Sequence, residues 1–334
     1  MNLSVSALRR RQMSDSKILI VSPAPFLHCG SRISTRSYKI MLAALPAVLH
    51  GFYLYGISAV GVVALSISSA IIWEYLINRL TGRNVSIGDG NAALIGMTLA
   101  MLFPATTPWW AVITGTFVAM VVGKHIYGGI GGNPFNPALI GIAILTLSWK
   151  NIFDIDYALL NYDFGFKAAY PLAALKHSGP SAVDAYNLFD LFIGKQAGSI
   201  GSAFGIALLI GGIYLIAAKI IRWEIPVSFL AGIIITAFIF HLSDPGRFTG
   251  PLFHILTGNT LLGAFFLATE DSSSPVNFIP MLIYGAGTGV MIILIRNIGG
   301  HVDGVVFAIL LMNVANPLLD KIRPKALGKV GSHA

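Results

Sequence analysis

The sequence has few charged residues and a single cysteine, and both scarcities narrow what the protein can be. Charged residues make up 11% of the 334 residues and hydrophobic residues 55%, whereas about a quarter of the residues in a soluble protein are charged. This composition excludes a soluble fold and indicates a polytopic membrane protein. Because Cys29 is alone, the chain cannot form an internal disulfide, a cysteine-ligated cluster or a cysteine zinc site.

The usual motifs of catalytic chemistry are also missing. The sequence contains no P-loop, no motif of a catalytic nucleophile and no Gly-x-Gly-x-x-Gly on a strand-to-helix turn. His28, His125 and His254 lack the spacing of metal ligands. We therefore predict no metal and no catalytic residue supplied by this chain.

Positive charge is concentrated at the two ends of a chain whose formal net charge is +8. The basic residues before the first apolar run are Arg9, Arg10, Arg11, Lys17, Arg32, Arg36 and Lys39. Those after the last run are Lys321, Arg323, Lys325 and Lys329. This distribution follows the positive-inside rule, so it predicts cytoplasmic termini rather than a nucleic-acid-binding face. The N-terminal segment lacks the apolar core of a signal peptide, and it could dock a cytoplasmic subunit or anionic lipid.

Apolar runs predict ten membrane-spanning helices, since about 20 apolar residues cross a bilayer. The predicted spans are 40–56, 57–78, 88–104, 107–126, 135–149, 200–219, 225–242, 253–269, 276–295 and 303–319. The fold class is therefore an all-α polytopic membrane protein. We divide the chain into five parts. These are a basic N-terminal segment (1–39), a first five-helix repeat (40–150), an outer-face loop (151–199), a second five-helix repeat (200–319) and a cytoplasmic tail (320–334).

The two five-helix segments resemble each other. Gly90-Asn91 and Gly258-Asn259 each open an apolar helix, and Gly128-Gly129 and Gly299-Gly300 each precede another. Because each segment has five helices, the second would be inverted relative to the first. Inverted repeats of this kind hold their binding sites near the bilayer midplane.

A turn rich in glycine and asparagine, residues 128–141, lies between two apolar runs. Its glycines permit positive φ and close approach of the backbone, while Asn133 and Asn136 offer carboxamides that donate and accept hydrogen bonds. Irregular backbone at membrane depth must be covered by protein or line a polar cavity. The pattern therefore fits both a tight turn with capping asparagines and a ligand site.

Other polar residues lie within or beside the apolar runs. Asp89 and Asp303 precede helices, where a carboxylate caps free N–H groups. Asn313 and Asn316 share one face of the last helix and need partners in the membrane. Asp303, Asn313 and Asn316 are therefore candidates for an ion pathway as well as for structural roles. Arg296 ends the ninth span, and we expect its side chain to snorkel toward the interface.

Several stretches together resemble one known family. They lie at 40–49, 88–90, 128–141, 198–201 with 210–212, 265–269 and 303–313. The most specific is the Gly-Gly-Ile-Gly-Gly-Asn-Pro-Phe-Asn-Pro sequence that begins at Gly128. The chain resembles the D subunit of the Rnf complex, an ion-translocating ferredoxin:NAD⁺ oxidoreductase. It is more distantly similar to the B subunit of the Na⁺-translocating NADH:quinone reductase.

The resemblance implies a ten-helix inverted-repeat fold similar to that of urea transporters, with flavin held in the membrane domain. It implies that Asn133 and Asn136 contact a non-covalent riboflavin. The glycines of their turn would permit close approach, and the turn at Asp89 would lie nearby. The full set of residues expected at this site is Asn133, Asn136, Gly128, Gly129, Gly132, Asp89, Gly90 and Asn91.

One departure from the family concerns a second flavin. The family carries Ser/Thr-Gly-Ala-Thr-Pro-Leu in the outer loop, where the threonine takes FMN as a phosphodiester. Here Tyr170 stands in place of that threonine, immediately before Pro171. We therefore expect FMN to bind without a covalent bond, with Lys167 or Lys176 facing its phosphate and Tyr170 stacking on its ring. The alternative is that this flavin has been lost.

The resemblance implies an electron-transfer subunit that acts with the A, B, C, E and G subunits in a prokaryotic inner membrane. Electrons would pass between ferredoxin and NAD, bound by partner subunits, and drive Na⁺ or H⁺ across the membrane. Two other functions remain open at this point. One is a small-solute channel or carrier of the urea-transporter type, and the other is a cofactor-free scaffold subunit.

Overall fold

The computed structural model describes residues 32–83, 86–159, 162 and 169–322, and these residues form helices and turns with no β strand. Most of the predicted N-terminal segment, most of the tail and Lys167 lie outside the described residues. The helices are α1 Ile33–Tyr55, α2 Ile57–Leu80, α3 Asn91–Met101, α4 Trp109–Phe117, α5 Pro137–Ser148, α6 Ile155–Ala158, α7 Pro171–Ser178, α8 Leu188–Ile193, α9 Gly205–Ala217, α10 Glu224–Ser243, α11 Pro251–Leu256, α12 Thr260–Leu262, α13 Phe278–Asn297 and α14 Val305–Leu319. Two of them continue as π-helices, α4 over Val118–His125 and α12 over Gly263–Leu267.

Helices occupy all ten of the predicted apolar stretches. Apolar segments form helices in lipid because every backbone polar group is then paired within its own segment. Among the described residues, α2, α10 and α13 are long and apolar enough to cross a membrane, while α3, α5, α9 and α14 are shorter apolar helices. An all-α membrane protein is therefore confirmed. The number of crossings, the inverted repeat, the likeness to urea transporters and the domain boundaries stay predictions.

The predicted span at 253–269 is interrupted at Gly258-Asn259, the pair that the sequence predicted to open a helix. Helix α11 ends at Leu256, and α12 begins at Thr260. Between them Gly258 has φ +69°, a left-handed conformation that glycine adopts without steric cost. Gly90 has the same φ of +69° immediately before α3. Each Gly-Asn pair thus gives the chain a left-handed turn before a buried helix.

Close helix packing depends on small residues, most clearly between α10 and α13. A Cβ atom added to Gly289 would lie 2.3 Å from the carbonyl oxygen of Phe229, and one added to Gly232 would lie 2.5 Å from that of Ala286. Because lipid supplies little driving force for apolar association, membrane helices gain stability from such close backbone contact. Any larger side chain at these two glycines would force α10 and α13 apart.

The described part of the connection between the two halves is folded and packs against α11. It contains the short helices α6, α7 and α8. Tyr170, Leu172, Ala173 and Leu191 form a small apolar cluster with Phe253 of α11. The described part of the connection is therefore a packed subdomain against the second half of the chain, and it holds Tyr170 in a fixed position.

Candidate functional site

A cavity of about 150 Å³ lies beside the glycine-rich turn, and we call it the Asn133 cavity. Its polar lining residues include Arg36, Asn91, Lys124, Asn133, Asn136, Thr269, Glu270 and Asp271. Its apolar walls include Ile40, Leu94, Ile95, Phe265 and Phe266. The structure thus brings together three of the residues predicted to bind riboflavin. Apolar walls with a few polar groups suit a ligand that has an apolar body and a hydrogen-bonding edge.

Asn136 is the N-cap of α5. Its Oδ1 accepts hydrogen bonds from the main-chain N–H groups of Ala138 at 3.0 Å and Leu139 at 3.4 Å. Its Nδ2 donates to the carbonyl oxygen of Leu267 at 3.0 Å. Asparagine is a preferred N-cap, and Pro137 suits the first helical position because its missing N–H needs no partner there. Asn136 therefore ties α5 to the end of the π-helix that follows α12.

Asn133 has a hydrogen-bonding atom to spare. Its Nδ2 donates to the carbonyl oxygen of Phe135 at 2.9 Å and to Oε1 of Glu270 at 3.3 Å. Oε2 of Glu270 in turn accepts from the main-chain N–H of Ser273 at 2.9 Å. No described residue donates to Oδ1 of Asn133, so this oxygen can accept from a ligand. The sequence did not assign Glu270, because an acid at a helix end is as often solvated as it is part of a site.

The predicted glycines shape the turn and do not line the cavity. Gly128 and Gly129 have φ of +106° and +105°, and a Cβ atom on Gly132 would lie 2.4 Å from the carbonyl oxygen of Tyr127. Side chains at these positions would therefore strain the turn itself. Ile130, which lies among these glycines, does line the cavity.

The turn at Asp89 contributes one residue to the cavity. Oδ1 of Asp89 accepts a hydrogen bond from the main-chain N–H of Asn91 at 2.8 Å, as expected for a carboxylate that caps a helix start. Asp89 and Gly90 lie outside the cavity lining, whereas Asn91 is part of it. The observed contacts of Asp89 are therefore structural.

A buried ion pair that sequence reasoning missed lies next to this cavity. Nζ of Lys124 is 2.6 Å from Oε2 of Glu74, and the two side chains are 2% and 1% exposed. Ser86 Oγ also donates to Glu74, and Nε2 of His125 is 3.7 Å away from it. The available signal was an acidic residue inside an apolar run, since ionisable groups in membrane segments are costly and usually paired or functional.

Asn313 and Asn316 connect α14 to the same region. The Asn313 amide lies 2.6 Å from the Tyr284 hydroxyl and 3.2 Å from both the main-chain nitrogen of Asn136 and the carbonyl oxygen of Ser273. Nδ2 of Asn316 donates to the same Ser273 oxygen at 3.0 Å. The two amides therefore hold the backbone around the Asn133 cavity, which is an interhelical role. Their part in an ion pathway stays a prediction.

A second cavity, of about 300 Å³, lies between α5, α7 and α14, and we call it the Tyr170 cavity. Its polar lining residues include Lys150, Asp154, Tyr170, Lys176, His177, Asn259, His301 and Asp303. Its apolar lining residues include Leu102, Ile142, Phe153, Val306 and Phe307. The structure thus places three predicted residues from different parts of the sequence around one space: Tyr170, Lys176 and Asp303.

Tyr170 is deeply buried at the edge of this cavity, with 4% of its surface exposed. Its hydroxyl has no hydrogen-bond partner among the described residues, while its main-chain N–H donates to Oδ1 of Asp156 at 2.6 Å. Burial raises the pKa of the Tyr170 phenol well above its ordinary value, because ionisation would place a charge in an apolar environment. The side chain is therefore a neutral phenol with little access to solvent.

Asp303 is the centre of a buried polar network. Its Oδ1 accepts from the Arg296 guanidinium at 2.9 Å and from the main-chain N–H of Val305 at 3.3 Å. Its Oδ2 accepts from both the main-chain and side-chain nitrogens of Asn259, each at 2.8 Å. Asp303 thus accepts from a free N–H at the start of α14, although Gly304 is the N-cap, and it also fixes the break before α12. Arg296 is only 6% exposed, so the expectation that it snorkels to the interface is wrong.

Lys176 lines the Tyr170 cavity, but its ammonium group donates its hydrogen bonds to main-chain carbonyl oxygens. Its Nζ donates to the carbonyl oxygens of Gly299 at 2.5 Å and His301 at 2.7 Å. These carbonyls follow the end of α13, where a cation is favoured. Desolvation lowers the pKa of Lys176 from its ordinary value. Lys176 therefore contributes charge to the cavity, while the other predicted cation, Lys167, lies outside the described residues.

Comparison with known proteins agrees with the resemblance. The chain matches the NQR2, RnfD, RnfE family over residues 20–328. It is 36% identical to the D subunit of the proton-translocating ferredoxin:NAD(+) oxidoreductase complex of Clostridium ljungdahlii, over 91% of this chain and 94% of that protein. It is 34% identical to the D subunit of the ion-translocating oxidoreductase complex of Escherichia fergusonii and 33% identical to that of Salmonella paratyphi B, in both cases over 92% of this chain and 98% of the relative. With helices long enough to cross a membrane and relatives matched almost end to end, this membrane protein belongs to the NQR2, RnfD, RnfE family.

Proposed function

We propose that this protein is the flavin-binding membrane subunit of an Rnf-type electron-transport complex. In this role it passes electrons across a prokaryotic inner membrane between ferredoxin and NAD, and the complex couples the transfer to movement of Na⁺ or H⁺. The A, B, C, E and G subunits complete the complex and bind ferredoxin and NAD. The names of the relatives, which are matched over 91–92% of this chain, support this proposal.

The Asn133 cavity is the observation that carries the proposal, since its residues suit a riboflavin. A flavin ring is flat and largely apolar, with carbonyl and N–H groups along one edge. Phe265 and Phe266 supply apolar walls, and the free Oδ1 of Asn133 suits a ring N–H. Asn91 offers a second amide at the same cavity. Asn136 positions this wall by capping α5 rather than by offering free atoms.

The Tyr170 cavity suits FMN held without a covalent bond. It is larger than the Asn133 cavity, and Tyr170, Phe153 and Phe307 line it, so aromatic faces are present for a ring to stack on. No described residue forms a hydrogen bond with the buried Tyr170 hydroxyl, so no base is in position to take its proton. This arrangement disfavours attachment of FMN to the phenol, in agreement with the missing threonine.

A bound flavin would supply the electron-transfer chemistry, and this chain would orient it and exclude water. Residues of α1, α3, α5 and the π-helix after α12 line the Asn133 cavity, so apolar side chains would cover part of the ring. For ion movement, the candidates remain Asp303, Asn313 and Asn316, to which the structure adds Glu74 with Lys124. Each charge moved against 100 mV costs about 2.3 kcal/mol, so coupling requires buried groups of this kind.

The proposal is tested by measuring flavin in the purified complex before and after denaturing precipitation, together with the intact mass of this polypeptide. We expect riboflavin and FMN in the supernatant and an unmodified polypeptide mass. A mass increase equal to an FMN ester would contradict non-covalent binding. A colourless complex that retains all its subunits would contradict the proposal and favour a scaffold. Solute flux through the isolated chain without any reductant would favour a channel.

A further inference from the structure

A third cavity, of about 460 Å³, lies between α7, residues 246–249 and the end of α13, and we call it the Arg247 cavity. Three basic residues line it, Lys176, Arg247 and Arg296. None of its described lining residues is acidic. The cavity is therefore electropositive, and neither the riboflavin site nor the FMN site proposed above uses Arg247.

Two residues that line this cavity, Arg296 and Asn297, each carry a buried N–H group with no acceptor among the described residues. Arg296 is 6% exposed, and its two terminal nitrogens are taken by oxygens of His254, Thr260 and Asp303. Its Nε, however, has no hydrogen-bond partner, and neither has Nδ2 of Asn297. A buried N–H without an acceptor is unfavourable, so both atoms point to an acceptor that does not come from these residues.

Arg247 and Lys176 both bring positive charge to the cavity, but only Arg247 has N–H donors that the described residues leave free. Arg247 is exposed at the cavity rim, and no carboxylate forms an ion pair with it in the described part of the chain. Its guanidinium lies over the Phe248 ring, 5.4 Å from the centroid, which orients it. The donors of Lys176 are occupied by the carbonyls that follow α13, so Lys176 adds charge but no free N–H.

We propose that the Arg247 cavity binds a phosphate group. A phosphate offers several acceptor oxygens and negative charge, which matches a guanidinium, a buried Arg Nε–H and a buried amide N–H. The cavity is open at Arg247 and closed at Arg296, so the group would enter past Arg247. Both a phospholipid headgroup and the phosphate of FMN carry this chemistry, and Lys176 lines both this cavity and the Tyr170 cavity.

The test is thermal unfolding of the purified complex with increasing inorganic phosphate, at constant ionic strength maintained with chloride. We expect the unfolding temperature of this subunit to rise with phosphate, since a ligand that binds only the folded state stabilises it. Arg247→Ala should weaken the apparent affinity about tenfold, because one charge-assisted contact is lost. Asn297→Asp should abolish the effect by placing a carboxylate in the cavity.

Arg79→Ala is the matched control, because Arg79 is also exposed but lies on α2 and lines none of the three cavities. It should respond to phosphate like the unmodified complex. An equal response in Arg247→Ala, or no response specific to phosphate over chloride, would overturn the proposal. Competition then identifies the source of the group. Displacement by FMN but not by riboflavin indicates the flavin phosphate, displacement by short-chain phosphatidylglycerol indicates a lipid, and displacement by neither indicates free phosphate.

Discussion

Lys124 and Arg296 occupy comparable places in the two halves of the chain, and their surroundings differ in an informative way. Each lies near the end of a helix, shortly before a pair of glycines, and each is buried against a carboxylate. Lys124 pairs at 2.6 Å with Glu74, which comes from the separate helix α2. Arg296 pairs at 2.9 Å with Asp303, only seven residues later in the sequence.

The difference lies in what else each carboxylate holds. Glu74 binds Lys124 and Ser86 at the edge of the Asn133 cavity, whereas Asp303 also holds both nitrogens of Asn259 and so fixes the break before α12. In the first half, amides line the cavity and the ion pair stands beside them. In the second half, the ion pair is itself part of the framework. We therefore expect the second pair to be less replaceable than the first.

The largest effect should come from Asp303→Ala. This variant leaves the Arg296 guanidinium buried without its carboxylate, which costs about 3–5 kcal/mol of unfolding free energy. The measurement is unfolding of the solubilised complex, with Asp190→Ala as control. Asp190 pairs with Lys195 on the surface, so its loss should cost less than about 1 kcal/mol. Similar costs for the two variants would show that the Asp303 network is unimportant for stability.

The contrast between the two pairs is sharpened by replacing both members of each. Glu74→Gln alone leaves Lys124 unpaired and should cost about 3–5 kcal/mol, and adding Lys124→Met should recover most of that loss. Asp303→Ala with Arg296→Met should recover much less, because both nitrogens of Asn259 at the helix break still lack their acceptor. Equal recovery in the two double variants would remove the distinction drawn above.

Two buried tyrosines allow a similar comparison, because one hydroxyl has a hydrogen-bond partner among the described residues and the other has none. The Tyr284 hydroxyl forms a hydrogen bond of 2.6 Å with the Asn313 amide, so Tyr284→Phe should cost about 1–3 kcal/mol by leaving a buried amide unsatisfied. The Tyr170 hydroxyl has no partner among the described residues, so Tyr170→Phe should change the unfolding free energy by less than about 1 kcal/mol. FMN content should also be unchanged in Tyr170→Phe. A larger cost for Tyr170→Phe than for Tyr284→Phe would contradict the assignment.

The smallest effects on stability are expected for the two asparagines of the glycine-rich turn, and their variants should differ in riboflavin content. Asn136→Ala removes an N-cap and should cost about 1 kcal/mol. Asn133→Ala keeps that cap, so it should affect stability less but lower the riboflavin content of the purified complex. Flavin analysis and thermal unfolding of the same preparations distinguish the two roles. Loss of riboflavin in neither variant would indicate that the flavin, if present, binds elsewhere.

Hydropathy predicted where helices form, and the Gly-Asn pairs indicated where two of them begin. Apolar runs were sufficient for all ten helical stretches, because a helix pairs its own backbone groups in lipid. The run at 253–269 is equally apolar, yet Gly258 turns the chain there, and Asp303 stabilises the turn from 44 residues away. A local pattern does not contain that distant contact. The sequence therefore indicated the turn, and the structure adds the contact that stabilises it.

The candidate site was also predictable only in part, because local motifs are visible in the sequence and distant partners are not. Asn91, Asn133 and Asn136 were found from a motif, and the structure places all three around one cavity. Glu74 was missed because its partner Lys124 lies 50 residues away, so no spacing links the two. Arg296 was misread because a basic residue at a helix end usually reaches solvent. Here buried oxygens of Asp303 and His254 surround it instead.

The central claim is that the chain provides two separate flavin sites, the Asn133 cavity for riboflavin and the Tyr170 cavity for FMN. It is tested most directly by filling each cavity and identifying the flavins that denaturation releases. Leu94→Trp fills the Asn133 cavity and Val306→Trp fills the Tyr170 cavity. We predict that the first variant loses riboflavin and keeps FMN, and that the second loses FMN and keeps riboflavin. Loss of the same flavin in both variants, or of neither flavin in either, would contradict the account.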